Sequence, residues 1–182
     1  MKTEYLLDRE MELVLSALMP ENRLIMRLCM HTGLRVGDAL CITTQQLEHR
    51  RFSVLEHKTG KRKTITLPDT LLCDLREQGK GSVYVFPHRS KPDQHRTRQA
   101  VWADVKRATK AFRLCVNAGT HSARKAFAVD LMKKYGDIER VKDALNHSSI
   151  EVTLLYAMAD ALRNERHKVP RKRRSTRGKS GA

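Results

Sequence analysis

Residues 51–68 read RFSVLEHKTGKRKTITLP, and this stretch decides the fold class because it interrupts a series of helical patterns with a β-hairpin. In residues 51–56 and again in residues 62–67, side chains alternate in the manner of strands with one buried face. The intervening HKTGK carries Gly60 where a tight turn is needed. The two runs therefore predict a pair of antiparallel strands.

Upstream of the hairpin, the spacing of apolar residues predicts helices over residues 8–18 and 21–31 and a helical turn over residues 36–40. Asp8 is a plausible N-cap of the first helix. The pair Thr32-Gly33 ends the second helix.

Downstream of the hairpin, the chain returns to helical spacing. Residues 83–86, VYVF, predict a short strand or a buried connection, and residues 88–96 an exposed loop. Thr120 is a plausible cap for one of the helices. The predicted helices cover residues 69–78, 97–112, 120–135, 138–145 and 148–163. The sum is an α+β fold, mostly helical with one small sheet.

The charge of the chain indicates a polyanionic partner, either nucleic acid or an anionic membrane surface. The 182 residues carry a formal net charge of +16 with 40% hydrophobic residues, a composition typical of a folded domain. Nine Lys/Arg and one Glu lie between Arg163 and Lys179, so this stretch contributes +8 and the other residues the remaining +8. A basic body together with a basic tail favours a long contact with DNA.

Other classes of protein are excluded or disfavoured. No apolar run approaches the ~18 residues needed to span a bilayer, and no strongly basic amphipathic helix with exposed aromatics indicates a membrane surface. The four cysteines lack CxxC spacing, so we expect buried free thiols in a reducing cytosol and no metal site. The predicted location is the cytoplasm, of bacterial or phage origin.

Four segments carry groups suited to phosphate chemistry. They are HTGLRVGDAL (31–40), HKTGKRKTITLP (57–68), HSARKAFAVDL (121–131) and LNHSSIEVTLLYA (145–157). In this order and spacing the chain resembles the tyrosine recombinase family, also called phage integrases, over about residues 5–160. The resemblance implies a mostly helical catalytic domain with a small three-stranded antiparallel sheet.

Cleavage of a phosphodiester requires cations at the non-bridging oxygens, a nucleophile and an acid for the leaving oxygen. Arginine suits the first role because its planar fork donates two parallel hydrogen bonds and stays charged. Arg35 follows a helix end, and Arg124 lies three residues after His121 on one helix face. The resemblance implies that Arg35 and Arg124 clamp the cleaved phosphate.

The resemblance implies roles for four further side chains. His121 contacts the phosphate and can accept a proton, and His147 donates a hydrogen bond to a phosphate oxygen. Lys58, just before the hairpin turn, protonates the leaving 5′ oxygen, although neighbouring Lys61, Arg62 and Lys63 compete for this assignment. Asp38, three residues after Arg35, orients backbone or Arg35.

Tyr156 is the predicted nucleophile, because it lies nine residues after His147, the spacing of the family. Its attack gives a 3′-phosphotyrosine and a free 5′ hydroxyl, with no cofactor, metal or ATP. Nearby cations would favour the phenolate over the neutral phenol, whose reference pKa is about 10. By periodicity alone, Tyr156 would instead be a packed aromatic.

The implied partners are double-stranded DNA, three further protomers in a tetramer on two duplexes, and possible DNA-bending accessory proteins. We expect the catalytic domain over residues 1–168, a basic disordered tail over 169–182 and no N-terminal domain that closes around the DNA. The residues predicted to contact DNA are Lys61, Arg62, Lys63, Arg171, Lys172, Arg173 and Arg174.

Three points stay open at this level. Integration, excision and inversion are not distinguished by the sequence. A type IB topoisomerase-like enzyme would share the nucleophile and the arginines but would relax supercoils without joining two sites. A non-catalytic DNA-binding relative would keep the fold and lose the covalent step.

Overall fold

A computed structural model describes residues 3–145 of the chain. The predicted helix over residues 148–163, with His147, Tyr156 and the basic tail, lies outside the described residues. The elements, in chain order, are α1 (Asp8–Ala17), α2 (Pro20–Thr32), α3 (Val36–Leu40), β1 (Arg51–Leu55), β2 (Arg62–Thr66), α4 (Asp69–Gly79), α5 (Arg98–Ala111), α6 (Thr120–Tyr135) and α7 (Ile138–Ala144). A 3-10 turn at Gln45–Glu48 precedes β1.

The predicted α+β class is confirmed, with a smaller sheet than expected. Strands β1 and β2 pair in antiparallel register, with Ser53 opposite Thr64. The described residues contain no third strand in this sheet, so the prediction of three strands is wrong for residues 3–145. The segment around Tyr84 instead forms an isolated bridge to Thr43, and Pro87 forms another to His95.

The helix ends follow local chemistry. Helix α2 begins with Pro20 in its first turn and ends at Gly33, whose φ of 68° is the left-handed conformation that favours glycine. Asp8 and Thr120, predicted as N-caps, are each the first residue of their helix instead. In each helix, the side chain of the third residue accepts a hydrogen bond from the backbone N–H of the N-cap residue. Glu10 accepts from Leu7 in α1, and Ser122 accepts from Gly119 in α6.

The core is continuous beneath α2, α3, the hairpin and α5. Helix α6 is buried on most of its circumference and packs against α2, α5 and α7. Small residues such as Ala123, Ala126 and Ala128 allow this close approach. The largest fully buried side chains include Phe86, Ile25, Met26, Leu28, Leu34, Leu40, Ile42, Leu47 and Leu67.

Two smaller predictions have mixed outcomes. All four cysteines are free, as expected, but Cys73 and Cys115 are exposed, so the expectation that all are buried is wrong. Helix α4 turns Leu71, Leu72 and Leu75 inward, which leaves position 73 outside. Within residues 3–145, no helix combines the length and apolar character required to cross a membrane.

Candidate active site

Arg35 is delivered to the site by the end of α2. The chain reverses at Gly33, whose N–H donates to the Cys29 carbonyl at 2.8 Å. A Cβ at Gly33 would lie 2.4 Å from the Phe127 ring of α6, so glycine is required both for its φ and for the close approach of α6. Two residues later, the largely buried Arg35 side chain enters the space beside α6.

Arg124 projects from α6 toward the same place. Its guanidinium donates to the Gly33 carbonyl through Nη1 and to the Leu145 carbonyl through Nη2 at 2.7 Å. The side chain is 8% exposed. These two bonds fix the plane of the guanidinium, and they tie the end of α2 to the chain that follows α7.

The two arginines meet at Glu56, which lies one residue beyond β1 and is fully buried. Glu56 Oε1 lies 3.3 Å from Arg35 Nη1 and 3.5 Å from Arg124 Nη1. The two guanidiniums therefore converge on one carboxylate oxygen, although their residues are far apart in sequence. The prediction that Arg35 and Arg124 lie together is consistent with this geometry.

Asp38 occupies the position expected of an orienting carboxylate. Its Oδ2 lies 3.9 Å from Arg35 Nη1. Its Oδ1 accepts a hydrogen bond from the His57 backbone N–H at 3.0 Å and lies 3.1 Å from His57 Nδ1. Asp38 thus links α3, which follows Arg35, to the first residues of the hairpin turn.

His121 lies at a solvent-accessible position in the first turn of α6, three residues before Arg124. The pKa of His121 is lowered below its usual 6.5. The main cause is desolvation of the imidazole by surrounding protein atoms, followed by the positive charges of Arg124, Arg35 and Arg98. The lowered pKa favours the neutral form of the imidazole at pH 7. A neutral imidazole can accept a proton, which is the state that its predicted role requires.

The hairpin turn presents Lys58, Lys61 and Arg62 to solvent. Gly60 has a φ of 65°, and its N–H donates to the Glu56 carbonyl at 2.9 Å, which closes the turn. Lys58 therefore stands on an exposed turn that is anchored at Glu56. The roles of these three cations stay predictions.

Lys63 is turned inward, unlike the other basic residues of the hairpin. Its Nζ donates to the Thr32 carbonyl at 2.6 Å and to the Ala144 carbonyl at 2.5 Å. Burial and then the charge of Arg124 lower the pKa of Lys63 to about 8, and Glu56 partly offsets this. In this structure the amine joins the ends of α2 and α7, and its predicted contact with DNA stays a prediction.

Several predicted site residues lie outside the described residues. They are His147, Tyr156, Arg171, Lys172, Arg173 and Arg174. The structure describes the chain as far as Leu145, whose carbonyl accepts from Arg124. Leu145, which lies two residues before His147 in the sequence, is therefore in direct contact with Arg124.

Sequence reasoning does not single out Glu56, yet the sequence contains its signal. In β1 the side chains of Phe52 and Val54 point inward, and continuing the alternation places Glu56 on the same buried face. A carboxylate in register with core residues must be paired, because an isolated buried charge is very costly. The proximity of Arg98 to His121 has no comparable signal, since it depends on how α5 packs near α6.

The fold and the site together define a helical domain with a small hairpin, in which two arginines converge on one buried carboxylate oxygen. Over residues 4–163 the sequence matches the phage integrase family. The integrase of Escherichia phage P2 is 30% identical over 156 residues, covering 86% of this chain and 43% of that protein. Tyrosine recombinase XerA of Pyrococcus furiosus is 27% identical over 147 residues, covering 77% of this chain and 51% of that protein.

Solved structures have the same fold. A lambda integrase dimer bound to a COC′ core site aligns with a TM-score of 0.70 at 20% identity, covering 87% of this chain and 48% of that one. The catalytic domain of bacteriophage HP1 integrase aligns with a TM-score of 0.60 at 23% identity, covering 93% of this chain and 96% of that one.

The chain belongs to the phage integrase family. It spans about half the length of the curated relatives it matches, between 43% and 51% for the phage P2 integrase and XerA. The family resemblance expected from the four sequence segments is therefore confirmed.

Proposed function

We propose that this chain is a site-specific DNA recombinase that cuts and rejoins DNA through a 3′-phosphotyrosine at Tyr156. The observation that carries the proposal is the convergence of Arg35 and Arg124 on one oxygen of Glu56, at 3.3 and 3.5 Å. Two guanidiniums directed at one point from separate segments form a site for a tetrahedral anion. Membership of the phage integrase family supports DNA as the source of that anion.

The arginine pair stabilises the charge that develops during the reaction. Attack on a phosphodiester gives a transition state with extra negative charge on the non-bridging oxygens. Guanidiniums already held in place stabilise this charge without reorganising, and this is commonly the largest contribution to catalysis. Burial of Arg124 strengthens the effect, because little water screens its charge.

Proton transfer completes the chemistry. The Tyr156 oxygen forms a bond to phosphorus while the bond from phosphorus to O5′ breaks. The phenol proton passes to the neutral imidazole of His121, and Lys58 gives a proton to O5′. His147 donates a hydrogen bond to a phosphate oxygen. A 5′ hydroxyl, from the same or another duplex, reverses the step, and the ester conserves the bond energy so that ATP is not needed.

The proposed partners are double-stranded DNA and further copies of the chain. Lambda integrase has been solved as a dimer on a core site and as a tetramer on a Holliday junction. A tetramer on two duplexes is the corresponding proposal for this chain, with cytoplasmic DNA as its target. DNA-bending accessory proteins stay a prediction.

The experiment is covalent capture on nicked DNA. A pool of random-sequence duplexes, each nicked in one strand, is incubated with the protein and then denatured. Cleavage near a nick releases a short fragment that diffuses away, so the covalent product accumulates. We expect a protein–DNA band with the wild type and none with Tyr156→Phe, because phenylalanine lacks the attacking oxygen.

A matched control is Tyr135→Phe, since Tyr135 is 43% exposed at the end of α6. This variant should form the adduct as the wild type does. Absence of adduct from wild type over the whole pool contradicts the proposal. Sequences recovered from the adducts define a trapping duplex, and plasmids carrying two copies of it distinguish recombination, which gives joined products, from topoisomerase activity, which gives topoisomers alone.

A further inference from the structure

Glu56 pairs with two arginines and also makes hydrogen bonds to the hairpin turn. Its side chain is 0% exposed, and Oε1 lies within ion-pair distance of Arg35 and Arg124. The Oε1 atom accepts no hydrogen bond from the described residues. The carboxylate therefore lies between the two arginines and neutralises part of their charge from one shared oxygen.

The same residue anchors the hairpin turn. Its Oε2 accepts a hydrogen bond from the Thr59 hydroxyl at 3.2 Å. Its backbone carbonyl accepts the N–H groups of Thr59 at 3.2 Å and Gly60 at 2.9 Å, and its N–H donates to the Lys61 carbonyl at 2.9 Å. Lys58 lies within this closed turn, so the hydrogen bonds of Glu56 fix the position of the Lys58 backbone.

The charged groups near Glu56 come from several separate elements. Arg35 precedes α3, Arg124 lies on α6, Lys63 lies on β2, and Asp38 on α3 adds a second carboxylate. Without Glu56 the three cations would face one another with only Asp38 to separate them. Glu56 thus reduces the repulsion that would push the two guanidiniums apart.

Stability alone does not account for this residue. Apolar replacement of buried ionic groups is commonly neutral or stabilising in proteins, so a buried carboxylate is weak evidence for a stabilising role. Phe52 and Val54 occupy the same face of the hairpin with apolar side chains. A charged residue at the next inward position therefore calls for an explanation in the site.

We propose that Glu56 is a positioning residue for strand cleavage: it holds both arginines toward one phosphate and ties to them the turn that carries Lys58. This inference rests on the proposed function. It predicts that Glu56 affects the rate of cleavage more than the affinity for DNA.

The first test is Glu56→Gln, which keeps the shape and removes the charge. The rate of adduct formation on the nicked trapping duplex should fall about 10- to 100-fold, as expected when reacting groups are misplaced by about 1 Å. The Kd for the intact duplex, measured at one fixed salt concentration, should change less than about threefold. The control is Glu77→Gln, which makes the same charge change on α4 at a side chain 79% exposed and should alter neither quantity.

The second test is Thr59→Val, which removes the hydroxyl that binds Glu56 Oε2 and keeps the side-chain shape. Adduct formation should slow about fivefold, as for the loss of one hydrogen bond. A duplex with sulfur in place of the 5′ bridging oxygen should abolish this difference. A leaving thiolate is a much weaker base than an alkoxide and departs without an acid, so the position of Lys58 no longer matters.

Two results overturn the inference while the wild type still forms adducts. One is folded Glu56→Gln that cleaves at the wild-type rate, or that loses rate and affinity in equal proportion. The other is a Thr59→Val variant that is slowed equally on the oxygen-bridged and the sulfur-bridged duplex. This second result tests the inference by itself if circular dichroism shows that Glu56→Gln is unfolded. If the wild type forms no adduct at all, the proposed function fails first and the inference falls with it.

Discussion

Two buried carboxylates, Asp104 and Glu56, are both surrounded by donors and cations but are bound in different ways. Asp104 Oδ2 accepts the Met19 N–H at 2.8 Å and the Asn22 amide at 2.7 Å, and its Oδ1 accepts from Arg107 at 2.6 Å. Both of its oxygens are hydrogen-bonded. This network joins α5 to the start of α2.

Glu56 is bound less completely. One oxygen accepts from Thr59, while the other has two arginines at ion-pair distance and no hydrogen bond among the described residues. A saturated network such as that of Asp104 stabilises a fold. The Glu56 cluster instead brings two guanidiniums to one carboxylate oxygen, at 3.3 and 3.5 Å. On the proposal made above for Glu56, this difference separates a carboxylate that stabilises the fold from one that positions two arginines.

The largest expected effect on cleavage comes from removing one of the two arginines that contact Glu56. Arg35→Ala should slow adduct formation by at least about 10²-fold, because one of two preorganised donors to the phosphate is lost. The rate is measured in single turnover on the nicked trapping duplex.

The matched control is Arg27→Ala. Arg27 pairs with Asp74 at 3.1 Å on the surface, where both side chains are about half exposed, and its loss should leave the rate within about twofold. Equal losses from the two substitutions would show that general positive charge, rather than the converging pair, supports cleavage.

The Asp104 network should respond in the opposite way. Asp104→Asn should lower the free energy of unfolding by about 2 kcal/mol, since hydrogen bonds to a charged acceptor are lost and an amide donor faces other donors. Urea unfolding followed by circular dichroism measures the change. Adduct formation by the folded variant should match the wild type, and a slowed rate at unchanged stability would erase the distinction between the two carboxylates.

The pH dependence of unfolding offers a second measure of Asp104. Although burial opposes it, hydrogen bonds from Asn22 and Met19 lower the pKa of Asp104 below 3.8. Its contribution is therefore complete above about pH 4 and is lost as the pH falls through the lowered folded pKa. In Asp104→Asn, this part of the acid destabilisation should be missing.

The smallest expected effect concerns His121. Protonated His121 cannot accept the phenol proton, so the rate should fall as the pH drops through a value below 6.5. The charge of Arg98 contributes to the lowered pKa of His121. Arg98→Gln should therefore raise that pKa and move the acid limb of the rate profile to higher pH. A shift to lower pH, or none, would show that another group controls this limb.

The sequence predicts the elements well where one local pattern dominates. Alternation in residues 51–56 and 62–67 places the hairpin, and the structure assigns its strands to Arg51–Leu55 and Arg62–Thr66. Residues 83–86 are apolar without alternating, a pattern that does not distinguish a strand from a buried connection, and the structure forms an isolated bridge at Tyr84.

The candidate site is predicted less completely, because its residues come together through tertiary packing. The family resemblance supplies Arg35 and Arg124, whereas no spacing rule brings residues so far apart in sequence to one carboxylate. Glu56 and Lys63 could have been found, since strand alternation places them on the faces of Val54 and Ile65. Reading charged residues at inward strand positions as paired would have identified both.

The most direct test of the converging arginines is the structure of Tyr156→Phe bound to the intact trapping duplex. One backbone phosphate should accept hydrogen bonds of about 2.7–2.9 Å from both Arg35 and Arg124, with Glu56 on the far side of the guanidiniums. A duplex whose separate phosphates contact the two arginines, or one that lies along the Asp104 side of the molecule, would contradict the account.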